Sequence, residues 1–249
     1  MELFKTIGTI DMAISIGSFR KSLPFYCTPL FAKNKELGMQ DIYHPLIDEP
    51  VLNTITINNN CIITGSNASG KSTFIKAVAV NVILAQCINT CMAKKMVLPF
   101  SRVITSMAVT DDLMSGESYY IKEIKYLNRI IQSLSDERLV ICVIDEILRG
   151  TNTEERIAAS CSILTYIHDK NCIAIAATHD IELTQLLKDM YTNYHFREKM
   201  HDKDIIFDYK IYDGPSTTRN AIKLLKYIGF PDKIISDAES FRLSKANYS

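Results

Sequence analysis

Apolar positions along this 249-residue chain come in two rhythms. Short unbroken apolar runs occur at Cys61–Thr64, at residues 139–144 and at residues 173–177. Runs of that length suit strands buried on both faces. Between them lie longer stretches at helical spacing, residues 72–92, 119–134 and Thr153–His168. In the second of these the apolar positions are Ile121, Ile124, Leu127, Ile131 and Leu134. Strand alternating with helix predicts an α/β fold, a largely parallel sheet flanked by helices. The first 35 residues break the rhythm. Leu3, Phe4, Ile7, Ile10 and Ile14 share one side of a predicted helix, and a turn-rich stretch around Pro24 and Pro29 follows. Near the other end, residues 218–228 and 231–243 read as two helices separated by Gly229 and Pro231. The expected organisation is a short helical segment at 1–35, an α/β domain at 36–217 and a helical element at 218–249.

Composition narrows the classes. The chain is 47% hydrophobic and 22% charged, enough to build a core. Lys+Arg and Asp+Glu are equal at 28 each, so no global basic footprint for nucleic acid exists, although a local patch remains open. Seven cysteines include no Cys-x-x-Cys pair, and no His cluster has metal spacing, so zinc is not expected. Cys61, Cys142 and Cys172 lie inside apolar runs, where a reduced thiol packs as a small hydrophobe. A reducing, cytoplasmic location is expected. The most apolar long stretch, residues 74–93, carries Lys76, Asn81, Gln86 and Asn89. That pattern predicts a buried helix rather than a membrane span. Glu2, Asp11 and the lack of a cleavage-site pattern argue against a secretory leader.

The chemistry concentrates at the ends of the apolar runs. Gly65-Ser66-Asn67-Ala68-Ser69-Gly70-Lys71-Ser72, followed by Thr73, fits G-x-x-x-x-G-K-[ST] between a strand and a helix. The glycines let successive backbone N–H groups face phosphates, and the helix N-terminus adds its positive end. Lys71 is placed to reach β- and γ-phosphates, and Ser72 to ligate Mg²⁺. The second run ends in Asp145-Glu146. Asp145 is expected in the Mg²⁺ shell, and Glu146 is expected to orient or deprotonate an attacking water. The third run ends in Thr178-His179, which brings His179 to the same crevice as a γ-phosphate sensor. Upstream, Asp111-Asp112-Leu113-Met114-Ser115-Gly116-Glu117-Ser118 precedes a helix, with Ser118 as a plausible N-cap. Spacing alone leaves that loop open between a capping turn and an anion site.

Together these segments resemble the ATPase domain of the MutS family, the DNA mismatch-repair clamp proteins, over residues 36–243. The resemblance is carried by Tyr43-His44-Pro45-Leu46, by Ile62-Ile63-Thr64-Gly65 leading into Asn67 and Gly70-Lys71-Ser72-Thr73, and by Ser101-Arg102. It continues through the Asp111–Ser118 segment, Asp145-Glu146-Ile147 with Arg149-Gly150-Thr151-Asn152-Thr153, Ala177-Thr178-His179 and Glu182-Leu183. The order of these pieces is specific; no single piece is. It implies a P-loop ATPase of the ABC class that binds ATP with Mg²⁺ and works as a homodimer with composite sites. Lys71, Glu146 and His179 would be catalytic. Ser118 would contact the γ-phosphate bound to the opposite subunit, and the loop at 149–153 would lie at the dimer interface. Asn53 matches an adenine-contacting loop, one residue short. Residues 1–35 look like the end of a core and lever region, and the last two helices like a dimerisation element. DNA would be engaged through domains mostly absent from this chain, and no membrane is implied. Two positions depart from the pattern: Leu148 stands where mismatch-repair members usually carry Gly, and Cys91-Met92-Ala93 lacks the Pro usual just before that Ala. No mismatch-reading domain with its Phe-x-Glu wedge, nor any clamp domain, is expected in this chain.

Two rivals share parts of this pattern. Transporter motors and chromosome-maintenance ATPases of the ABC class have the same phosphate loop, acidic strand and His. Transporter motors insert a helical subdomain between the first two motifs, and the stretch from Lys71 to Asp145 leaves little room for one. Their signature reads Leu-Ser-Gly-Gly-Gln, against Leu113-Met114-Ser115-Gly116-Glu117-Ser118 here. The other rival is a non-catalytic module that binds ATP only to fix a conformation; the presence of every hydrolytic residue type argues against it.

Overall fold

The computed structural model describes residues 1–66, 68–107, 119–134, 137–201, 204–216 and 221–246. In chain order the elements are α1 (Glu2–Ser22), β1 (Leu30–Ala32), β2 (Leu37–Ile42), β3 (Asn53–Ile57), β4 (Cys61–Thr64), α2 (Lys71–Ile88), β5 (Lys95–Pro99) and β6 (Arg102–Ser106). Then come α3 (Tyr119–Ser133), β7 (Val140–Asp145), α4 (Thr153–His168), β8 (Cys172–Thr178), α5 (Ile181–Leu186), β9 (Thr192–His201), β10 (Asp204–Asp213), α6 (Ala221–Ile228) and α7 (Asp232–Ala246).

The architecture is α/β, with two mixed sheets flanked by helices. A six-stranded sheet runs β10-β9-β4-β8-β7-β6. Its pairings from β9 to β6 are parallel, and β10 joins β9 antiparallel. A four-stranded sheet, β1-β5-β2-β3, is antiparallel except where β1 meets β5. The parallel pairings expected from the sequence are those of β9, β4, β8, β7 and β6; the pairings β2–β3 and β9–β10 need no helical crossover and run antiparallel, so both sheets are mixed.

The six-stranded sheet is covered on both faces, so its central strands are apolar at nearly every position. Every residue of β4 and β8 is buried. Alternate side chains point to opposite faces. Cys61, Ile63, Val143, Ile175 and Ala177 pack with α2 and the four-stranded sheet. Ile62, Cys142, Ile144, Ala174 and Ala176 pack with α3, α4 and α5. By length and composition α2 could cross a membrane, but half of it is buried in this core.

Three helices differ from the sequence expectation. The helix that follows the glycine loop at 65–70 stops at Ile88, four residues short of the expected end, because Asn89 turns left-handed at φ 53° and caps it. The inward face of α3 carries Glu123, Leu127, Ile130 and Leu134, while Ile121 and Ile124 are 44% and 38% exposed. A buried glutamate therefore replaces an isoleucine in the expected stripe. Finally, the apolar side of α1 is uncovered: Leu3, Phe4, Ile7, Ile10 and Ile14 are all exposed. The helix is held at its far end, where Arg20 donates to Thr90 Oγ1 at 2.9 Å and to the Asn89 carbonyl at 2.9 Å. The stretch after α1 joins the four-stranded sheet through β1, and Cys27 pairs with Cys91 in an antiparallel bridge.

Candidate active site

Strand β4 delivers the glycine loop and α2 receives it. Gly65 has φ 144°, and a β-carbon there would lie 2.7 Å from the Phe196 carbonyl oxygen and 2.9 Å from Ser69 Oγ. Gly70 has φ 101° and faces the Tyr209 ring. Both positions exclude a side chain, by conformation and by space. The turn is closed by Ser69, whose N–H and Oγ donate to the Ser66 carbonyl at 3.1 and 2.7 Å. Ser66 Oγ donates to Glu198 Oε2 of β9 at 3.1 Å. Asn67 lies outside the described residues, and Ala68 follows on the exposed crest.

Lys71 is the first residue of α2 and is almost wholly buried. Its Nζ donates to the carbonyls of Gly65 and Ser66 at 2.6 and 2.8 Å, so the ammonium lies across the mouth of the loop. Burial lowers its pKa, opposed by the nearby charges of Glu146 and Asp145. Ser72 is half-buried and Thr73 exposed on the same first turn, where backbone N–H groups have no helical partner.

The parallel register sets Asp145 beside Ala177, and Thr64 beside Thr178, so the ends of β4, β8 and β7 line one edge. Asp145 Oδ1 is buried and has no hydrogen-bond partner. Such an orphaned acceptor is costly unless an ion or water completes it. Glu146 continues the edge, its N–H donating to the Ala177 carbonyl at 2.9 Å. Its φ is 58°, a conformation that side chains with a β-carbon avoid. The Glu146 carboxylate receives Arg149 Nε, and His179 Nδ1 lies 3.4 Å away. Burial pushes the Glu146 carboxyl up, but hydrogen bonds from His179 and Arg149 outweigh it and hold the group down at about 2. The same contact raises the His179 pKa, against partial burial. Asp180, next in the chain, is anchored by Arg156 of α4 through two bonds of 2.9 and 2.6 Å.

Beside the loop lies a pocket of about 200 Å³, with Tyr43, His44, Val51, Asn53, Phe74 and Tyr209 among its walls. Asn53 is committed within that wall. Its Nδ2 donates to the Tyr209 carbonyl at 3.0 Å, and its Oδ1 accepts from Ile211 N–H at 2.9 Å. Asn53 therefore shapes the pocket by tying β3 to β10.

Lys71, Ser72, Asp145, Glu146 and His179 thus come together on one edge. Ser118, with the segment at 111–118, lies outside the described residues. Sequence reasoning does not reach Arg149 as a partner of Glu146, nor Glu198, Tyr209 or the Arg156–Asp180 pair. Arg149 meets Glu146 through the turn between them, and the others are brought together across separate elements. Glu123 was missed as well: it occupies an inward position of α3, which the isoleucines at 121 and 124 concealed.

The turn at 146–149 contains one of the two departures noted in the sequence, and holds it in a conformation that costs a leucine more than a glycine. Leu148 has φ 58°, a conformation that glycine adopts freely, and its side chain is buried.

The family model for MutS domain V matches residues 61–244. The DNA mismatch repair protein MutS of Streptococcus uberis (strain ATCC BAA-854 / 0140J) is 33% identical over 251 aligned positions, covering 96% of this chain. Those of Streptococcus pyogenes serotype M49 (strain NZ131) and Streptococcus suis (strain 98HAH33) are 32% identical over the same share. The chain spans only 29% of the length of each of these relatives. Matched by domain V over most of its length and by whole MutS proteins at a third of its positions, the chain belongs to the MutS family.

Proposed function

We propose that this chain is the ATP-binding and ATP-hydrolysing domain of a MutS-like clamp protein, with the P-loop architecture of ABC-class ATPases. The observation that carries the reading is the shared edge on which Lys71, Asp145, Glu146 and His179 meet beside a glycine-restricted loop. The pocket next to that loop is lined by Tyr43, His44 and Tyr209 and suits a nucleotide base. Asn53 serves that pocket through its wall.

Each residue then has a task. Lys71 exchanges the Gly65 and Ser66 carbonyls for β- and γ-phosphate oxygens. Backbone N–H groups from Ser66 to Thr73 cradle the phosphates. Ser72 and Asp145 fit Mg²⁺, since the orphaned Asp145 Oδ1 is the acceptor a hydrated divalent ion would satisfy. When bound, Mg²⁺ would supply positive charge to offset the charge that develops on the phosphates. Glu146 takes or orients a proton of the attacking water. Held at about 2 by Arg149 and His179, its carboxylate is a weak base. Displacement of Arg149 toward solvent would strengthen it. His179 then turns to the γ-phosphate. Dimerisation, with Ser118 reaching the opposite site, and DNA engagement by the wider protein complete the reading.

The test is nucleotide titration and single-turnover cleavage. Lys71→Ala is expected to weaken ATP binding or abolish turnover. Glu146→Gln is expected to bind ATP and cleave it about 10²–10⁴-fold more slowly. Normal binding and turnover in Lys71→Ala would remove the phosphate-loop assignment. Wild-type cleavage in Glu146→Gln would remove the role given to Glu146.

A further inference from the structure

We infer that Glu123 is a positioning residue for hydrolysis: its buried carboxylate holds the turn at 147–149, and through it fixes the Glu146 carboxylate. The inference rests on the role proposed for Glu146.

Glu123 lies on α3, in the stripe that packs Leu127, Ile130 and Leu134 against the sheet, and only 2% of it is exposed. An isolated carboxylate in such a place is costly unless strong donors meet it. Two do. Arg149 N–H donates to Glu123 Oε2 at 3.0 Å, and the Leu148 N–H donates to the same carboxylate. These bonds land on the turn that carries Glu146. Both Glu146 and Leu148 have φ 58°, a backbone shape that persists only where surrounding contacts over-determine it. The Glu123 carboxyl supplies such contacts: burial raises its pKa, opposed by the Leu148 and Arg149 N–H groups, which bind the ionised form more strongly than the neutral one. One helical turn earlier, Tyr120 presses on the same segment: a β-carbon at Gly150 would come within 2.8 Å of Tyr120 Cβ. The face of α3 thus grips residues 148–150 at two points, three positions apart along the helix. An apolar residue at 123 would pack as well but would leave two N–H groups unpaired and the turn free to relax. Relaxation moves the carboxylate that faces Lys71 and His179, and small misplacements of a reacting group are expensive.

The experiment uses the whole chain and three variants, Glu123→Gln, Glu146→Gln and the double substitution. Single-turnover cleavage, affinity for a fluorescent ATP analogue and thermal midpoint are measured for each. Glu123→Gln keeps shape and one acceptor oxygen. It is expected to slow cleavage by about tenfold or more, with analogue affinity within about twofold and a near-native midpoint. In the double variant, cleavage is expected to be no slower than in Glu146→Gln alone, because Glu123 acts through Glu146. Wild-type cleavage in Glu123→Gln, alongside a slow Glu146→Gln, overturns the inference and leaves the proposed function standing. Parallel loss of cleavage, affinity and midpoint also overturns it, since that marks a structural residue only. Multiplying defects in the double variant overturn it as well. If Glu146→Gln itself cleaves normally, the underlying reading fails and this inference falls with it.

Discussion

The charges around Glu146 set the behaviour of the site at the scale of single residues. Its carboxyl, ordinarily at 4.5, is held at about 2, so it stays ionised at any pH where the protein is useful. His179 is shifted the other way, above its ordinary 6.5, by its contact with that carboxylate. A histidine with a raised folded value contributes stability fully below its unfolded value and loses it as pH rises through the folded one. Glu146 stops contributing only as pH falls toward 2. The pair is therefore strongest between those limits, in mildly acidic to neutral solution. Replacing His179 with Ala is expected to lower the thermal midpoint more at pH 5.5 than at pH 9. Equal losses at the two values would show that the imidazole carries no charge-dependent contact with Glu146. Much of this cluster was legible beforehand, because the glycine loop, Asp145-Glu146 and Thr178-His179 are short motifs fixed by local chemistry. Arg149, Glu123 and Arg156 were not, because each acquires its partner through the turn at 146–149 or across separate elements.

At the scale of elements, α2 is the axis of the domain: it opens at the glycine loop and closes against α1. Its last carbonyls are capped by Arg20, which donates to the carbonyls of Asn89 and Ile88 and to Thr90 Oγ1. A guanidinium there also meets the negative end of the helix. Arg20→Ala is expected to cost about 1–2 kcal/mol, from the lost bonds and the lost charge at the helix end. For a domain of this size that lowers the midpoint by roughly 2–8 °C. Amide exchange should quicken in the last turn of α2 while the first turn keeps its protection. Unchanged exchange at residues 84–90 would mean that α1 leans on α2 without supporting it. The same scale explains what the chain's pattern revealed of the fold. Strands β4, β7 and β8 stand out because burial on both faces makes them continuous apolar runs. Strands β9 and β10 interleave Arg197, Glu198, Asp208 and Lys210 with apolar residues and carry a register shift between Phe207 and Ile211, which obscures any simple period. Helix α3 misled by a part-turn: its isoleucines at 121 and 124 compete with a glutamate whose partners lie 25 and 26 residues further on.

At the scale of the whole molecule, the proposed function treats the parts that one chain supplies as half of a site. Lys71, Ser72, Asp145, Glu146 and His179 line one edge, and His179 and Thr73 face solvent there. That open edge is where a second copy would complete the site, by the resemblance of the segment ending in Ser118 to a contact across a two-fold axis. On the proposed reading, symmetry would give two equivalent composite sites, ATP held between the copies would favour the dimer, and cleavage would release it, coupling chemistry to the state of a clamp. The uncovered apolar side of α1 belongs to a different surface, at the far end of α2 from the phosphate loop. Two measurements examine the composite site. Sedimentation of Glu146→Gln should show more dimer with ATP than with ADP. Subunits carrying Ser118→Ala and subunits carrying Lys71→Ala, each dead alone, should regain turnover when mixed. In a heterodimer both lesions fall in one site, and the other site is built from an intact Lys71 of one copy and an intact Ser118 of its partner. If heterodimers form but stay inactive, and sedimentation shows no dependence on ATP, then Ser118 is a helix cap and each chain works alone.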